Sequence, residues 1–315
     1  MRSTEATARD YESHMLSPEQ LQNMRIQTNW GSCVATRSAT TCPISQMKRS
    51  VRLLRSGITD VSKNVLTVDL GNSRAKFGLF ECIDDHVRPL ALSAVSPDPD
   101  HDLAAQLAVW VRPHSVEVCL AAGSNPSMLD RLIEGWPNDL PAATAIRSAQ
   151  MVPVVLSVDQ PDAVGLDRVL NAFAATRLHT GRNVIIVDSG TATTVDLVSA
   201  EGVFCGGTIF PGLRLSAHAL HDYTAKLPMI DMDAPNSTAP KVPGRNTEAA
   251  IRAGLFWGQL GAIREIVSRL RQTCVDHPTV ILTGGGSRLL RTHIDCVQTV
   301  DALALHGLAM LAEPA

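Results

Sequence analysis

The chain has 315 residues and a formal net charge of -3 at pH 7, with 45% hydrophobic and 19% charged residues. This length allows about two domains, and the composition supplies enough apolar side chains for their cores. The slightly negative charge argues against a nucleic-acid-binding protein, and no apolar run approaches the ~18 residues of a membrane-spanning helix. Neither a nucleic acid nor a membrane is therefore expected as a partner.

The first part of the chain differs from the rest. Residues 1–63 are rich in Ser, Thr, Arg and Asn and lack sustained periodicity, so they are predicted to form a disordered N-terminal extension. The basic cluster from Lys48 to Arg55 is not followed by an apolar segment of signal-peptide length. It is interpreted as a solvated tail or as an arm for nucleic acid or membrane. A third interpretation places the true start of the protein at Met24 or Met47.

The cysteines indicate a reducing compartment. They are odd in number, scattered, and form no C-x-x-C pair, which favours reduced thiols in a cytosolic protein over disulfides or a zinc site. The seven residues are Cys33, Cys42, Cys82, Cys119, Cys205, Cys274 and Cys296.

Strands and helices are predicted to alternate from residue 64 onward. The predicted strands, in chain order, cover 64–69, 76–82, 116–121, 151–158, 183–188, 193–198, 203–209 and 279–282. The predicted helices cover 123–133, 168–179, 211–221, 246–274 with an interruption near Gly254 or Gly261, a segment after 284–286, and 301–312. Strands cluster before helices twice, which predicts an α/β fold in two similar halves, 64–181 and 182–315.

The same kind of turn occurs twice, as Val-Asp-Leu-Gly-Asn-Ser over 68–73 and Val-Asp-Ser-Gly-Thr-Ala over 187–192. In each copy an Asp ends an apolar run and a Gly follows two residues later. Such a turn can hold a metal-bound polyphosphate, because Gly lets backbone N–H groups approach phosphate oxygens and the Asp faces the cation. Two such hairpins facing each other would grip one nucleotide, which indicates phosphoryl transfer. The first turn alone is more typical of an ordinary hairpin, whereas the density of hydroxyls and carboxylates over 188–196 suits phosphate and cation coordination.

A third motif, Gly165-Leu166-Asp167-Arg168, precedes a predicted helix. One interpretation, which the spacing alone favours and which does not exclude the other, makes Asp167 the N-cap of a helix that starts at Arg168. The other makes Asp167 a general base toward a substrate hydroxyl, with Arg168 neutralising charge or holding the acceptor. The sequence contains no G-x-x-x-x-G-K-[ST] loop, no G-x-S-x-G elbow and no protein-kinase signature, so those classes are excluded.

The order of the motifs resembles that of type III pantothenate kinase, a family of the actin-like ATPase superfamily. The motifs that carry the resemblance are 69–76, 165–168, 188–196, 206–212, 246–247 and 283–286. The resemblance extends from residue 65 to the C-terminus and implies two duplicated ribonuclease-H-like domains with a cleft between them. It also implies ATP-dependent phosphorylation of pantothenate to 4'-phosphopantothenate, the first step of coenzyme A biosynthesis, by a cytoplasmic homodimer.

The resemblance implies roles for single residues. Asp167 would be the proton acceptor, Asp188 would bind K⁺ or NH₄⁺, and Asp69 would organise Mg²⁺ indirectly. The residues implied to bind ATP are Asp69, Leu70, Gly71, Asn72, Ser73, Arg74, Ala75, Lys76 and Thr191. Those implied to bind pantothenate are Gly165, Leu166, Asp167, Arg168 and Thr247, the last as a candidate for contact across a dimer interface.

One departure from the family concerns the pantothenate pocket. Some members carry a Tyr about nine residues before the catalytic Asp, and Val158 stands near that place here. Two alternatives to the pantothenate kinase interpretation stay open. The chain could be an actin-like kinase for another small hydroxyl acceptor such as a sugar. It could also be a non-catalytic regulatory protein similar to Bvg accessory factor.

Overall fold

Five strands of the first half form one mixed sheet in a computed structural model that describes residues 62–83, 86–96, 102–232, 239–294 and 297–312. The strands are β1 (Lys63–Leu70), β2 (Ala75–Ile83), β3 (His86–Val95), β4 (Val118–Gly123) and β5 (Ala143–Ile146). Their order is β3-β2-β1-β4-β5, with the first three antiparallel and β4 and β5 parallel to β1. Helices α1 (Leu103–Val111) and α2 (Pro126–Glu134) precede the two parallel strands.

The second half repeats this topology. Its strands are β6 (Val184–Ser189), β7 (Ala192–Val198), β8 (Phe204–Pro211), β9 (Thr279–Thr283) and β10 (Val297–Thr299). Read from β8, the order is β8-β7-β6-β9-β10, again with three antiparallel strands followed by two parallel ones. Its helices are α4 (Leu213–Asp222), α5 (Thr247–Thr273) and α6 (Ser287–Leu290). The duplicated α/β plan expected from the sequence is confirmed.

Two helices, α3 (Leu166–Leu178) and α7 (Leu303–Leu311), link the two sheets. They pack against each other, α3 also contacts β4, β6 and β7, and α7 contacts β1 to β4. One apolar cluster therefore joins side chains of both sheets with both helices. The closing helix of the second half packs on the first sheet, and the boundary between 181 and 182 stays a prediction.

Strand alternation decides which side chains face these helices. On β1, Leu66 and Val68 face α1 and α2, whereas Val65 belongs to the cluster of α3 and α7. On β6, Ile185 packs in the cluster of α5 and Ile186 in that of α3 and α7. Because side chains alternate between the two faces of a strand, Asp69 and Asp188 fall on the face that looks toward α3.

Several predicted elements differ from the structure. The strand predicted over 151–158 is wrong, since this segment makes only an isolated bridge between Leu156 and Phe204, and Pro153 removes a ladder donor. The strands β3, β5 and β10 and the helix α1 were not predicted. β3 is an edge strand with mostly exposed or half-buried side chains and Pro89 beside a bulge, so its hydrophobic pattern is weak. The predicted interruption of α5 is also wrong, because it runs unbroken for 27 residues.

Four cysteines lie in the described residues, and Cys82, Cys119, Cys205 and Cys274 form no disulfide there. The remaining three, together with nearly all of the predicted extension over 1–63, lie outside the described residues. Across the residues that the structure describes, no helix combines the length and the apolar character needed to cross a membrane.

A glycine substitution tests the packing of α7 on α3. A Cβ at Gly307 would lie 3.0 Å from the Leu170 carbonyl carbon and nearer still to its oxygen. We expect Gly307→Ala to lower the free energy of unfolding by about 1–3 kcal/mol, because backbone atoms cannot yield as a side chain does. The measurement is the midpoint of urea unfolding. In the control, Gly258→Ala on α5, the new methyl has nothing within 4 Å, and helix propensity should stabilise by about 0.5–1 kcal/mol. Equal effects of the two substitutions would contradict the close approach.

Candidate active site

The first hairpin places a carboxylate opposite an ammonium. Asp69, which is 3% exposed, is the register partner of Lys76 across β1 and β2, and Lys76 Nζ lies 3.0 Å from Asp69 Oδ2. The pKa of Lys76 is raised, chiefly by the charge of Asp69, with Asp188 and Asp167 adding to the effect against the cost of burial. Lys76 is therefore a permanent cation shared by three carboxylates.

The two repeated turns meet. In each, the glycine N–H donates to a nearby carbonyl at 3.0 Å, from Gly71 to Arg74 in one turn and from Gly190 to Ala192 in the other. The Thr191 hydroxyl of the second turn donates to the Ser73 hydroxyl of the first at 2.8 Å. Polar side chains of two turns that are far apart in sequence are thus in direct hydrogen-bond contact.

Asp188 ends β6 in a tight setting. Asn171 on α3 donates from Nδ2 to Asp188 Oδ2 at 3.0 Å, and Asn171 is only 1% exposed. Its other amide atom, Oδ1, is buried without a hydrogen-bond partner among the described residues. Gly284, with a φ of 86°, lies so close that a Cβ there would collide with Asp188 Oδ1. Burial raises the pKa of Asp188, and the nearby Lys76 ammonium opposes this shift.

Asp167 does not cap its helix, which corrects one of the two interpretations of this motif. The helix α3 begins at Leu166, its N-cap residue is Gly165, and no side chain bonds there. Asp167 lies in the first turn, and its Oδ1 accepts the N–H of Arg168 at 2.9 Å. A Cβ at Gly165 would lie 2.6 Å from Asp167 Oδ1, so the absence of a side chain there leaves room for the carboxylate.

The electrostatic setting of Asp167 suits a proton acceptor. Its pKa is raised, first by burial and then by the charges of Asp69 and Asp188, while the Arg168 N–H and Lys76 act in the opposite direction. A carboxylate with a raised pKa accepts a proton more readily than an ordinary one, and such shifts cluster at functional sites. The arrangement can therefore remove a proton from a hydroxyl placed against Asp167.

The Arg168 guanidinium forms an ion pair with a further carboxylate, that of Asp196. Its Nε donates to both oxygens of Asp196 on β7 at 3.2 Å, and its Nη2 donates to Oδ1. The guanidinium carbon lies 5.3 Å from the centroid of the Phe204 ring. This pair links α3 to the second sheet one residue after Asp167.

A cavity of about 310 Å³ collects most of the predicted site. Nine of the predicted site residues line it, namely Asp69, Gly71, Asn72, Ser73, Arg74, Lys76, Asp167, Asp188 and Thr191. Five others do not, namely Leu70 and Ala75, which are fully buried in the core, and Gly165, Leu166 and Arg168.

Some lining residues were missed at the level of sequence. Ser124 after β4 and Leu213, Arg214, Leu215 and His218 of α4 also line the cavity. The buried Gln259 of α5 supports the second turn, because its Nε2 donates to the hydroxyls of Thr193 at 2.6 Å and Ser189 at 3.3 Å. The glycines before α4 were the one feature of the nearby sequence that pointed to the lining residues of α4. Nothing in the sequence around Gln259 indicates its contact with the second turn.

Thr247 lies apart from this cavity. It lines a separate groove of about 620 Å³ with residues of α4 and α5, including Leu220 and Ile251. The predicted cap of α5 is confirmed, since Asn246 accepts the Ala249 N–H at 2.8 Å. Thr247 therefore does not reach the Asp167 cavity within one protomer.

The described residues contain no group of three or more His, Cys, Asp or Glu side chains placed to hold a metal ion by themselves. A magnesium ion held mainly by nucleotide phosphates and water needs no such group. The acidic side chains that face the cavity fit an ion that arrives with its nucleotide.

Two sheets of identical strand order, each delivering an Asp-Gly hairpin to one cavity, define a phosphotransferase of the actin-like ATPase superfamily. A family model described as type III pantothenate kinase matches residues 65–269, and the chain belongs to this family. A type III pantothenate kinase of Thermobifida fusca is 34% identical over 263 residues, covering 79% of this chain and 98% of the relative. One of Gluconobacter oxydans is 40% identical over 187 residues, covering 59% of this chain and 66% of that protein.

A solved structure agrees in fold. A candidate 2-dehydro-3-deoxygalactonokinase from Sinorhizobium meliloti gives a TM-score of 0.50 at 15% identity, covering 79% of this chain and 98% of that one. At this identity the likeness concerns the fold alone. It extends across both sheets, which agrees with the duplicated architecture.

Replacement of Asp167 tests whether its buried charge lowers the stability of the folded protein, an effect called electrostatic strain below. Its pKa rises on folding from 3.8, so its protonation stabilises the protein below pH 3.8 and this contribution is lost as the pH rises through the folded-state pKa. Asp167→Asn keeps the acceptor for the Arg168 N–H and removes the charge. We expect a higher Tm for the ligand-free variant at pH 7.5, by about 2–4 °C for each kcal/mol relieved, and a flatter Tm profile above pH 3.8.

The control is Asp130→Asn, which alters a half-exposed carboxylate paired with Arg147. It should not raise the Tm. A lower Tm for Asp167→Asn than for the unmodified protein at pH 7.5 would contradict the strain.

Proposed function

We propose that the protein transfers the γ-phosphoryl group of ATP to the terminal hydroxyl of pantothenate, forming 4'-phosphopantothenate in the first step of coenzyme A biosynthesis. The observation that carries this function is the Asp167 carboxylate, with its raised pKa, on the same cavity as the two Asp-Gly hairpins. Membership of the family supports pantothenate as the acceptor.

The hairpins bind the ATP phosphates. Asn72, Ser73 and Thr191 line the cavity between the turns and offer polar groups to phosphate oxygens. The Lys76 ammonium, kept charged by its neighbours, neutralises phosphoryl charge. Mg²⁺ bound to the phosphates would lie near Asp69 and supply further positive charge to the transferred group.

Asp167 performs the one proton transfer that the reaction needs. Its carboxylate accepts the proton of the acceptor hydroxyl as that oxygen bonds to the γ-phosphorus. The bond from phosphorus to the bridging oxygen breaks, and ADP leaves with the electron pair. Phosphoryl transfer depends on positioning and charge neutralisation more than on covalent catalysis, so one placed carboxylate suffices.

A monovalent cation, K⁺ or NH₄⁺, belongs beside Asp188. The fit rests on the buried Asn171 Oδ1, an oxygen without a partner among the described residues, next to a carboxylate whose burial disfavours its charge. The cation would stabilise the ionised Asp188 and add positive charge near the phosphates.

The acceptor lies on the Arg168 side of Asp167. Pantothenate carries one carboxylate, and the Arg168 guanidinium one residue from the base is the matching cation, with Gly165 and Leu166 forming the adjacent turn. Thr247 lines a groove away from this cavity, so it would contact an acceptor only in a second copy of the chain. A homodimer is therefore part of the proposal.

The first test of this function removes the base. We expect Asp167→Asn to lower turnover by roughly 10²- to 10⁴-fold, the usual contribution of acid–base catalysis, while ATP still binds. Turnover is measured by coupled ADP release with pantothenate, and the product is identified by mass. A panel of sugars and N-acyl hexosamines serves as the acceptor control. Near-normal turnover in the variant would show that Asp167 is not the base.

The second test concerns the cation. With chloride salts at equal ionic strength, we expect activity in K⁺ or NH₄⁺ and a marked loss in Na⁺, because the site next to Asp188 suits the larger ions. Asp188→Ala should abolish the difference between the salts. Equal activity of the unmodified protein in Na⁺ alone would remove the cation from the mechanism.

A further inference from the structure

The Arg168–Asp196 pair is buried more deeply than an ordinary ion pair. Asp196 is 0% exposed, and the Arg168 side chain is 13% exposed. Burial of such a pair costs desolvation that its Coulombic attraction barely offsets, so the pair is weak evidence for a gain in stability. For a buried charge pair beside the proposed proton acceptor, a role in the reaction is therefore a better explanation than a gain in stability.

The residues around the ion pair restrict the position of the Arg168 guanidinium. A Cβ at Gly207 would collide with Asp196 Oδ1, so the carboxylate fits only because residue 207 has no side chain. The guanidinium also lies over the Phe204 ring, 5.3 Å from its centroid, where the cation is attracted to the ring face. Carboxylate and ring together fix both the plane and the rotation of the Arg168 head group.

The ion pair also determines which N–H groups of Arg168 remain available to bind a ligand. Asp196 takes the Nε and Nη2 side of the guanidinium, whereas Nη1 takes no part in the pair. Guanidinium donors have a fixed fork geometry, so holding one edge sets the direction of the others. A carboxylate could dock on the remaining N–H groups without breaking the bond to Asp196.

The acceptor side of the site lies next to this head group. Phe204 exchanges backbone hydrogen bonds of 2.9 Å with Val155 and Ser157, so the segment leading to Val158 runs along β8. A Cβ at Gly206 would lie 3.5 Å from Val158 Cγ1. The held guanidinium therefore lies over the ring of a residue whose backbone is paired with the segment that precedes α3.

We propose that Asp196 is a positioning residue, which holds the Arg168 guanidinium so that its remaining N–H groups bind the carboxylate of the acceptor. The proposal rests on the proposed function, since it takes pantothenate as the acceptor. It assigns acceptor selectivity to a residue that touches neither the acceptor nor the phosphates.

The test compares two acceptors that differ only at the anionic end. Panthenol carries a CH₂OH group in place of the pantothenate carboxylate. We expect the unmodified protein to prefer pantothenate. Asp196→Asn should raise the KM for pantothenate by roughly 10- to 100-fold, the loss expected when a hydrogen bond between charged groups is no longer made. The KM values for panthenol and ATP should stay within about threefold, because neither depends on the Arg168 head group.

Controls separate positioning from structure. Glu81→Gln disturbs an Arg–carboxylate pair with Arg88 on the first sheet and should leave the acceptor preference unchanged. Phe204→Leu, a second variant that keeps an apolar side chain, should shift the same preference less strongly and serves if Asp196→Asn is insoluble. In an Arg168→Lys background, Asp196→Asn should add little, because both act through one contact.

Two results would overturn the proposal. Equal increases in KM for pantothenate and panthenol would leave Asp196 with a structural role alone. If the unmodified protein phosphorylates both acceptors equally well, Arg168 does not recognise the carboxylate of the acceptor. Failure of the proposed function itself looks different, because the unmodified protein would then turn over neither acceptor.

Discussion

The sharing of Lys76 by three carboxylates is the interaction on which the site depends. Asp69, Asp167 and Asp188 all act on this ammonium, and burial raises the pKa of the latter two. Burial and the charges of neighbouring carboxylates disfavour the ionised forms of Asp167 and Asp188, and Lys76 only partly offsets this cost. This cost is typical of functional sites, where stability is given up for reactivity. The same carboxylates attract the cations that accompany a nucleotide.

Two periodicities bring these groups together. The alternation of strands turns Asp69 and Asp188 toward the layer between the sheets. The helix α3 runs through that layer, and its spacing of four residues puts Asp167 and Asn171 on one face. Asn171 then reaches Asp188 while Asp167 faces the cavity. A shift of one residue in either strand would send its carboxylate to the opposite face.

The predictable parts of the structure are those with local causes. Each Asp-Gly turn and the cap at Asn246 follow from short segments, because turn and cap chemistry involve neighbours in sequence. The contacts that the sequence did not reveal are long-range. Nothing near Gln259 indicates its bonds to the second turn, and nothing near Asp196 indicates Arg168 as its partner. The edge strand β3 was missed because a strand with an exposed face carries little hydrophobic signal.

The two copies of the hairpin have diverged where their chemistry differs. Opposite Asp69 the first copy carries Lys76, so this carboxylate has its own counter-ion. Opposite Asp188 the second copy carries Thr194, and the carboxylate is held by the neutral amide of Asn171 instead. The charge of Lys76 also favours the ionised form of Asp188, but this lysine belongs to the other hairpin. The two hairpins are thus equivalent frames that differ by one lysine, which the first carries opposite its Asp and the second does not.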